Sequence, residues 1–207
     1  MKISSHKKHN LFLFKINPLI RLLIFSDMII VGAMGMFSPL YALFVTEYIE
    51  GANEFTIGLS ISIYLVARSI FQIPLATLLD RIKGEKDDYY IMVLGSVIVG
   101  ILHFAYLGIS TIWELYTLQM LLGVFSAITY PAYMALFTRH IDKDMEGTEW
   151  GVYYTFIDLG SAALATLGGY IANEYGYNAL IIVVSLLCIL GSIALIPVKS
   201  KIFKEIQ

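Results

Sequence analysis

The sequence predicts an all-α integral membrane protein with six transmembrane helices, on three observations. The first is composition: 58% of the 207 residues are hydrophobic and 14% are charged, whereas soluble domains carry about a quarter charged residues. The mean hydropathy is +0.75. The second is a set of six apolar stretches, each about long enough to span a bilayer as a helix. The third is that all lysines and arginines except Arg68 fall in alternate connections between those stretches.

The stretches are roughly Leu19–Val45, Ile57–Leu79, Tyr90–Ile109, Ile112–Phe137, Trp150–Ala172 and Ala179–Pro197. Lys2, Lys7, Lys8, Lys15 and Arg21 precede or open the first. Arg81, Lys83 and Lys86 sit between the second and third, Arg139 and Lys143 between the fourth and fifth, and Lys199, Lys201 and Lys204 after the sixth. The other connections carry Glu47, Glu50, Glu54, Glu114 and Glu174 and no cation. Cationic loops stay in the cytoplasm, so both termini are expected inside a plasma or inner membrane crossed six times. A signal peptide does not fit the start: the apolar run is too long, Asp27 interrupts it and no small-residue cleavage pattern follows. No connection is long enough for a soluble domain, so residues 1–207 read as one membrane domain.

The net charge of −2 and the dispersal of the basic residues set nucleic acid aside as a partner. The lone Cys188 in the sixth span has no intrachain disulfide partner. No metal site, cofactor or catalytic motif is legible: there is no His-Glu-x-x-His, no Gly-x-Ser-x-Gly and no phosphate-binding glycine loop. An enzyme is therefore not expected.

The two halves of the chain, about 17–110 and 111–198, resemble each other. Ser38-Pro39-Leu40-Tyr41 near the end of span one matches Tyr130-Pro131-Ala132-Tyr133 near the end of span four. The same offset lays Asp27 on Gln119 and brings Arg68 within a few residues of Asp158. Three spans is an odd number, so the second copy enters from the opposite side: a 3+3 inverted repeat, a device of secondary transporters.

Four spans carry polar stripes at helical spacing. They are Asp27, Met34, Ser38 and Tyr41; Ser60, Tyr64, Arg68 and Gln72; Gln119, Ser126, Tyr130 and Tyr133; and Asp158, Ser161, Ala165 and Gly169. The last stripe places Asp158 toward protein, near Arg68. Spans three and six, with few polar residues, are expected to face lipid. Asp27, Arg68, Gln72, Gln119 and Asp158 are the candidates for binding a substrate or ion; Ser38, Tyr41, Ser126, Tyr130 and Tyr133 are candidates for lining a cavity. Asp27, Arg68 and Asp158 read either as a structural ion cluster or as a transport site, because an unpaired charge in mid-membrane is costly.

Between spans two and three, Ala76-Thr77-Leu78-Leu79-Asp80-Arg81-Ile82-Lys83-Gly84-Glu85-Lys86 resembles the signature loop of the major facilitator superfamily, Gly-x-Leu-x-Asp-Arg-x-Gly-Arg-Lys. Ala76 replaces the first glycine and Lys83 is an added residue. Gly32 and Pro39 in span one and Leu167-Gly168-Gly169 in span five are similar to further family patterns. The resemblance implies one six-helix half of that family's fold. It also implies a secondary transporter, working as a parallel homodimer in the lipid bilayer; one arginine and two carboxylates, Arg68, Asp27 and Asp158, fit a small polar or ionic solute better than an apolar one. Asp80, Arg81, Gly84 and Lys86 would form the cytoplasmic loop, with Asp80 latched to Arg139. A non-transporting scaffold or receptor subunit, and one half of a heterodimeric transporter, are the alternatives.

Overall fold

A computed structural model of the chain describes residues 16–82 and 84–202. Lys2, Lys7, Lys8, Lys15, Lys83 and Lys204, part of the basic pattern, lie outside the described residues, as does the side chain of Lys201. The described residues form helices and no strand.

Helix α1 (Pro18–Phe37) begins where Asn17 caps it, its side chain accepting a hydrogen bond from Leu19 N at 2.9 Å, with proline at the first turn. Pro39 cannot donate to the ladder, and a 3-10 turn, Ser38–Leu40, follows before α2 (Tyr41–Tyr48) continues the run. Helix α3 (Glu54–Arg81) and helix α5 (Ile112–Arg139) have 28 residues each, and both start with reciprocal caps, Asn53 with Thr56 and Thr111 with Glu114. Between them lies α4 (Lys86–Phe104). Helix α6 (Glu146–Ile193) is followed by the short α7 (Val198–Ile202).

Five helical runs are long and apolar enough to cross a membrane: Pro18–Tyr48, Glu54–Arg81, Lys86–Leu107, Ile112–Arg139 and Glu146–Ser200. Six were expected. The difference lies in α6, which contains both the fifth and the sixth expected spans. Its helical geometry is broken at Gly176, with φ 81° and ψ 170°, a backbone that favours glycine. The limbs on either side of Gly176 run in opposite directions along α1. On the first limb, Gly160 lies against Met28, Leu164 against Gly32 and Gly168 against Met36, in ascending order. On the second, Ser26 Oγ donates to Gly191 O at 2.6 Å and the Cys188 thiol sits 3.9 Å from Ile30 O, in descending order.

Close approach of the helices rests on small residues. A Cβ on Gly168 would stand 2.5 Å from Met36 O, and one on Gly123 of α5 would stand 2.5 Å from Tyr64 O of α3. Two apolar clusters fill the interior. One, around Leu23, Tyr89, Leu136 and Phe137, lies toward the end that carries Arg81 and Arg139; the other, around Phe44, Leu115, Leu180 and Val184, lies toward the end that carries the glutamates. These are called the basic and acidic ends below.

The expected lipid-facing shell is redistributed. Helix α4 and the second limb of α6 each bury one stripe, including Met92, Val99, Leu180 and Cys188, and expose another, including Leu94, Ile101, Leu186 and Leu190. The least covered helix is α3, which buries only Thr56, Ser60 and Ala67. It packs on α5 alone along most of its length, so its other faces stay open.

Candidate functional site

Two cavities lie inside the bundle. The first has a volume of about 270 Å³ and is lined from five helices: Asp27 from α1, Arg68 from α3, Ser96 from α4, Tyr130 and Tyr133 from α5, and Tyr153 from α6. The second, about 260 Å³, is lined by Ser38, Tyr41, His103, Tyr106 and Gln119 among others. Met34, Tyr64, Val99 and Ser126 line both, so the two share a wall.

In the second cavity the polar groups of Tyr41, Tyr106 and Gln119 bond to one another. Gln119 Nε2 donates to Tyr41 Oη at 2.7 Å and to Tyr106 Oη at 3.1 Å. Tyr41 and Ser60 share a hydrogen bond of 2.6 Å, and Ser60 Oγ also donates to Ile57 O. His103 Nδ1 lies 2.8 Å from Val99 O one turn back in its own helix. The chain of contacts ties α2, α3, α5 and the 3-10 turn Ala105–Leu107 after α4 together toward the acidic end.

In the first cavity the pairing is less complete. Tyr153 Oη donates to Asp27 Oδ2 at 2.7 Å. Arg68 lies over the Tyr130 ring, its guanidinium carbon 4.8 Å from the centroid, a cation–π contact. Among the described residues Arg68 forms no ion pair. Tyr133 is 5% exposed and its hydroxyl is buried without a hydrogen-bond partner, a state that costs about 1–3 kcal/mol.

The expected pairing of Arg68 with Asp158 does not form within the chain. Asp158 is exposed and unpaired among the described residues. The reason is rotational. Span five carries two stripes of small residues one position apart, about 100° around the helix. Helix α1 uses the stripe of Gly160 and Gly168, which turns Asp158 outward. Gln72 is half-buried and lines neither cavity. Ser38, Tyr41, Ser126, Tyr130, Tyr133, Asp27, Arg68 and Gln119 all line one cavity or both.

The expected latch between Asp80 and Arg139 is likewise replaced. Arg139 Nη1 donates to Asp88 Oδ2, whose side chain is 3% exposed against 41% for Arg139. Asp80 is exposed. A second contact joins the same two helix ends, with His140 Nε2 3.6 Å from Glu85 Oε2. Asp88 sits in the first turn of α4, where a carboxylate is favoured by the helix dipole, and it faces α5; Asp80 closes α3, which faces outward. Asp88, Tyr153 and Tyr106 make contacts here that the sequence reading did not single out, while Ser60 stood in the polar stripe of span two. The run Asp87-Asp88 behind the loop was the one signal present for Asp88; Tyr153 and Tyr106 look like any interfacial tyrosine until the helices are assembled.

The fold and its interior define an α-helical membrane protein built around polar cavities at mid-bundle. The family model of the Major Facilitator Superfamily matches residues 23–202, and the chain belongs to that superfamily. It is 28% identical, over 69% of its length and 36% of the relative's, to an uncharacterised MFS-type transporter of Methanocaldococcus jannaschii. It is 28% identical to the multidrug resistance protein MdtG of Proteus mirabilis, over 76% of this chain and 39% of that protein. To MdtG of Serratia proteamaculans it is 24% identical, over 91% of this chain and 45% of that protein. The match therefore spans less than half of each of these relatives. The first of these is named as a transporter and the other two as multidrug resistance proteins.

Proposed function

We propose that the chain forms a six-span bundle, with a 3+3 inverted repeat, that serves as one half of a secondary active transporter for a small polar or ionic solute. The observation that carries the reading is the first cavity, where a carboxylate, a guanidinium and an unpartnered hydroxyl from separate helices meet inside a superfamily of transporters. Mid-membrane charges of this kind mark solute or ion pathways.

The repeat reading has its own support. Asp27, Ser38 and Tyr41 stand 92 residues before Gln119, Tyr130 and Tyr133. Each set contributes to both cavities, so residues equivalent by this offset face each other across the shared wall. The two limbs of α6 about Gly176 supply the fifth and sixth spans. With six spans both termini lie on one side, and the loop cations put that side in the cytoplasm of a plasma or inner membrane.

The open faces of α3 and the first limb of α6, with Asp158 exposed on the latter, require a cover in lipid. A second copy in parallel orientation supplies it with a self-complementary contact. The similarity to multidrug resistance proteins makes export the first direction to assay. Purified chain in proteoliposomes, energised by an imposed proton or sodium gradient, is expected to move solute across the membrane. No movement under either gradient, with correctly inserted protein, overturns the reading. Single cysteines at Gln72 and Ala165 are expected to crosslink between copies; crosslinking absent while transport persists overturns the homodimer.

A further inference from the structure

The first cavity holds one formal cation and one formal anion, and no other charged side chain lines it. Arg68 and Asp27 both face it, yet they form no ion pair with each other among the described residues. A singly charged ligand would meet one partner and one like charge, and between protein walls such interactions are stronger than in bulk water. A ligand that carries both charges meets two partners and no opponent.

The second cavity shows what a completed version looks like. There Tyr41, the residue 92 positions before Tyr133, has its hydroxyl bonded by Gln119 and Ser60. In the first cavity Asp27 stands where the offset places Gln119, and it is bonded to Tyr153 instead. Tyr133, which lines the space, is left with a buried hydroxyl that has no hydrogen-bond partner. The rings of Tyr64, Tyr130 and Tyr153, with Met34, form the rest of an aromatic wall.

Resting on the transport reading, we propose that the first cavity binds a small aromatic zwitterion, its ammonium at Asp27, its carboxylate at Arg68, and its ring against the tyrosine wall.

Three indoles of similar size separate the charge states: tryptophan (zwitterion), tryptamine (cation) and indole-3-propionate (anion). Equilibrium binding of each in radiolabelled form is measured on the full chain in nanodiscs. Tryptophan is expected to bind at least tenfold tighter than either singly charged indole. Arg68→Gln is expected to abolish its advantage over tryptamine, and Asp27→Asn its advantage over indole-3-propionate. Arg68→Lys and Asp27→Glu are expected to keep the order of the three, which separates charge recognition from general damage. A singly charged indole that binds as tightly as tryptophan overturns the proposal, as does an equal loss for all three probes in each variant. Counterflow of the same probes in proteoliposomes tells the two readings apart. Carriage of one singly charged indole, with tryptophan excluded, overturns the zwitterion and leaves the transporter; carriage and binding of none of the three overturns this proposal, and failure under both gradients with any solute overturns the transporter as well.

Discussion

The two cavities are nearly equal in volume and share a wall, yet their chemistry diverges. Toward the acidic end, Ser60, Tyr41, Gln119 and Tyr106 use neutral groups and close their hydrogen bonds among themselves. Toward the basic end, Asp27, Arg68 and Tyr133 leave charge and donor capacity unused, and the helix ends beyond them are held by an ion pair between Asp88 and Arg139. Buried polar groups in a finished core are paired. A satisfied network holds helices in place; an unsatisfied one awaits something from outside. The difference is the ground for proposing that the second cavity braces and the first binds.

The largest expected effect follows from that assignment. Arg68→Gln or Asp27→Asn should lower transport by at least a hundredfold, about 2.7 kcal/mol, while thermal unfolding of the purified protein moves little. Tyr41→Phe, in the bracing cavity, should leave transport within about threefold. Equal losses in rate at the two sites would break the distinction.

Stability should report the opposite ranking. Arg139→Ala leaves the nearly buried Asp88 carboxylate uncompensated. The expected cost is about 2–3 kcal/mol, below that of breaking a fully buried pair because Arg139 is 41% exposed. Asp88→Asn combined with Arg139→Ala should cost less than Arg139→Ala alone. Denaturant unfolding in detergent reads both. Gln119→Leu removes the donor to Tyr41 and Tyr106 and should cost about 1–2 kcal/mol. A null effect there would mean that the network is not bracing the acidic end.

Much of this architecture was legible in the sequence because the bilayer reads a chain in simple terms. Length and apolarity marked the spans, and loop charge marked the two ends. Asp27, Arg68, Gln119, Tyr130 and Tyr133 announced themselves as polar groups at helical spacing in hydrocarbon. What the sequence concealed was rotation and partner choice. Span five offers two small-residue stripes, and nothing local decides that α1 packs along Gly160 and Gly168, with Ser161 against Gly35 at the edge of the contact, and leaves Asp158 outward. Asp80 and Asp88 are eight residues apart at adjoining helix ends; only the packing of α4 on α5 decides which one Arg139 reaches. The break at Gly176 falls inside the connection expected between Ala172 and Ala179.

The smallest expected effect distinguishes the two ends by ionic strength. The Arg139–Asp88 pair is partly open to solvent, so salt reaches it; the Debye length falls from about 30 Å at 0.01 M to about 3 Å at 1 M. The Gln119 network carries no formal charge and has nothing to screen. Raising sodium chloride across that range should weaken the parent protein by up to about 0.5 kcal/mol through this pair. The effect is best read as a difference between variants, because salt also strengthens apolar burial in all of them. Gln119→Leu should show the same salt response as the parent. The double variant Asp88→Asn with Arg139→Gln should lose the destabilising part and shift toward higher stability in salt relative to both. A double variant that responds as the parent does would place the salt-sensitive charge elsewhere and remove the ion pair as the clamp at the basic end.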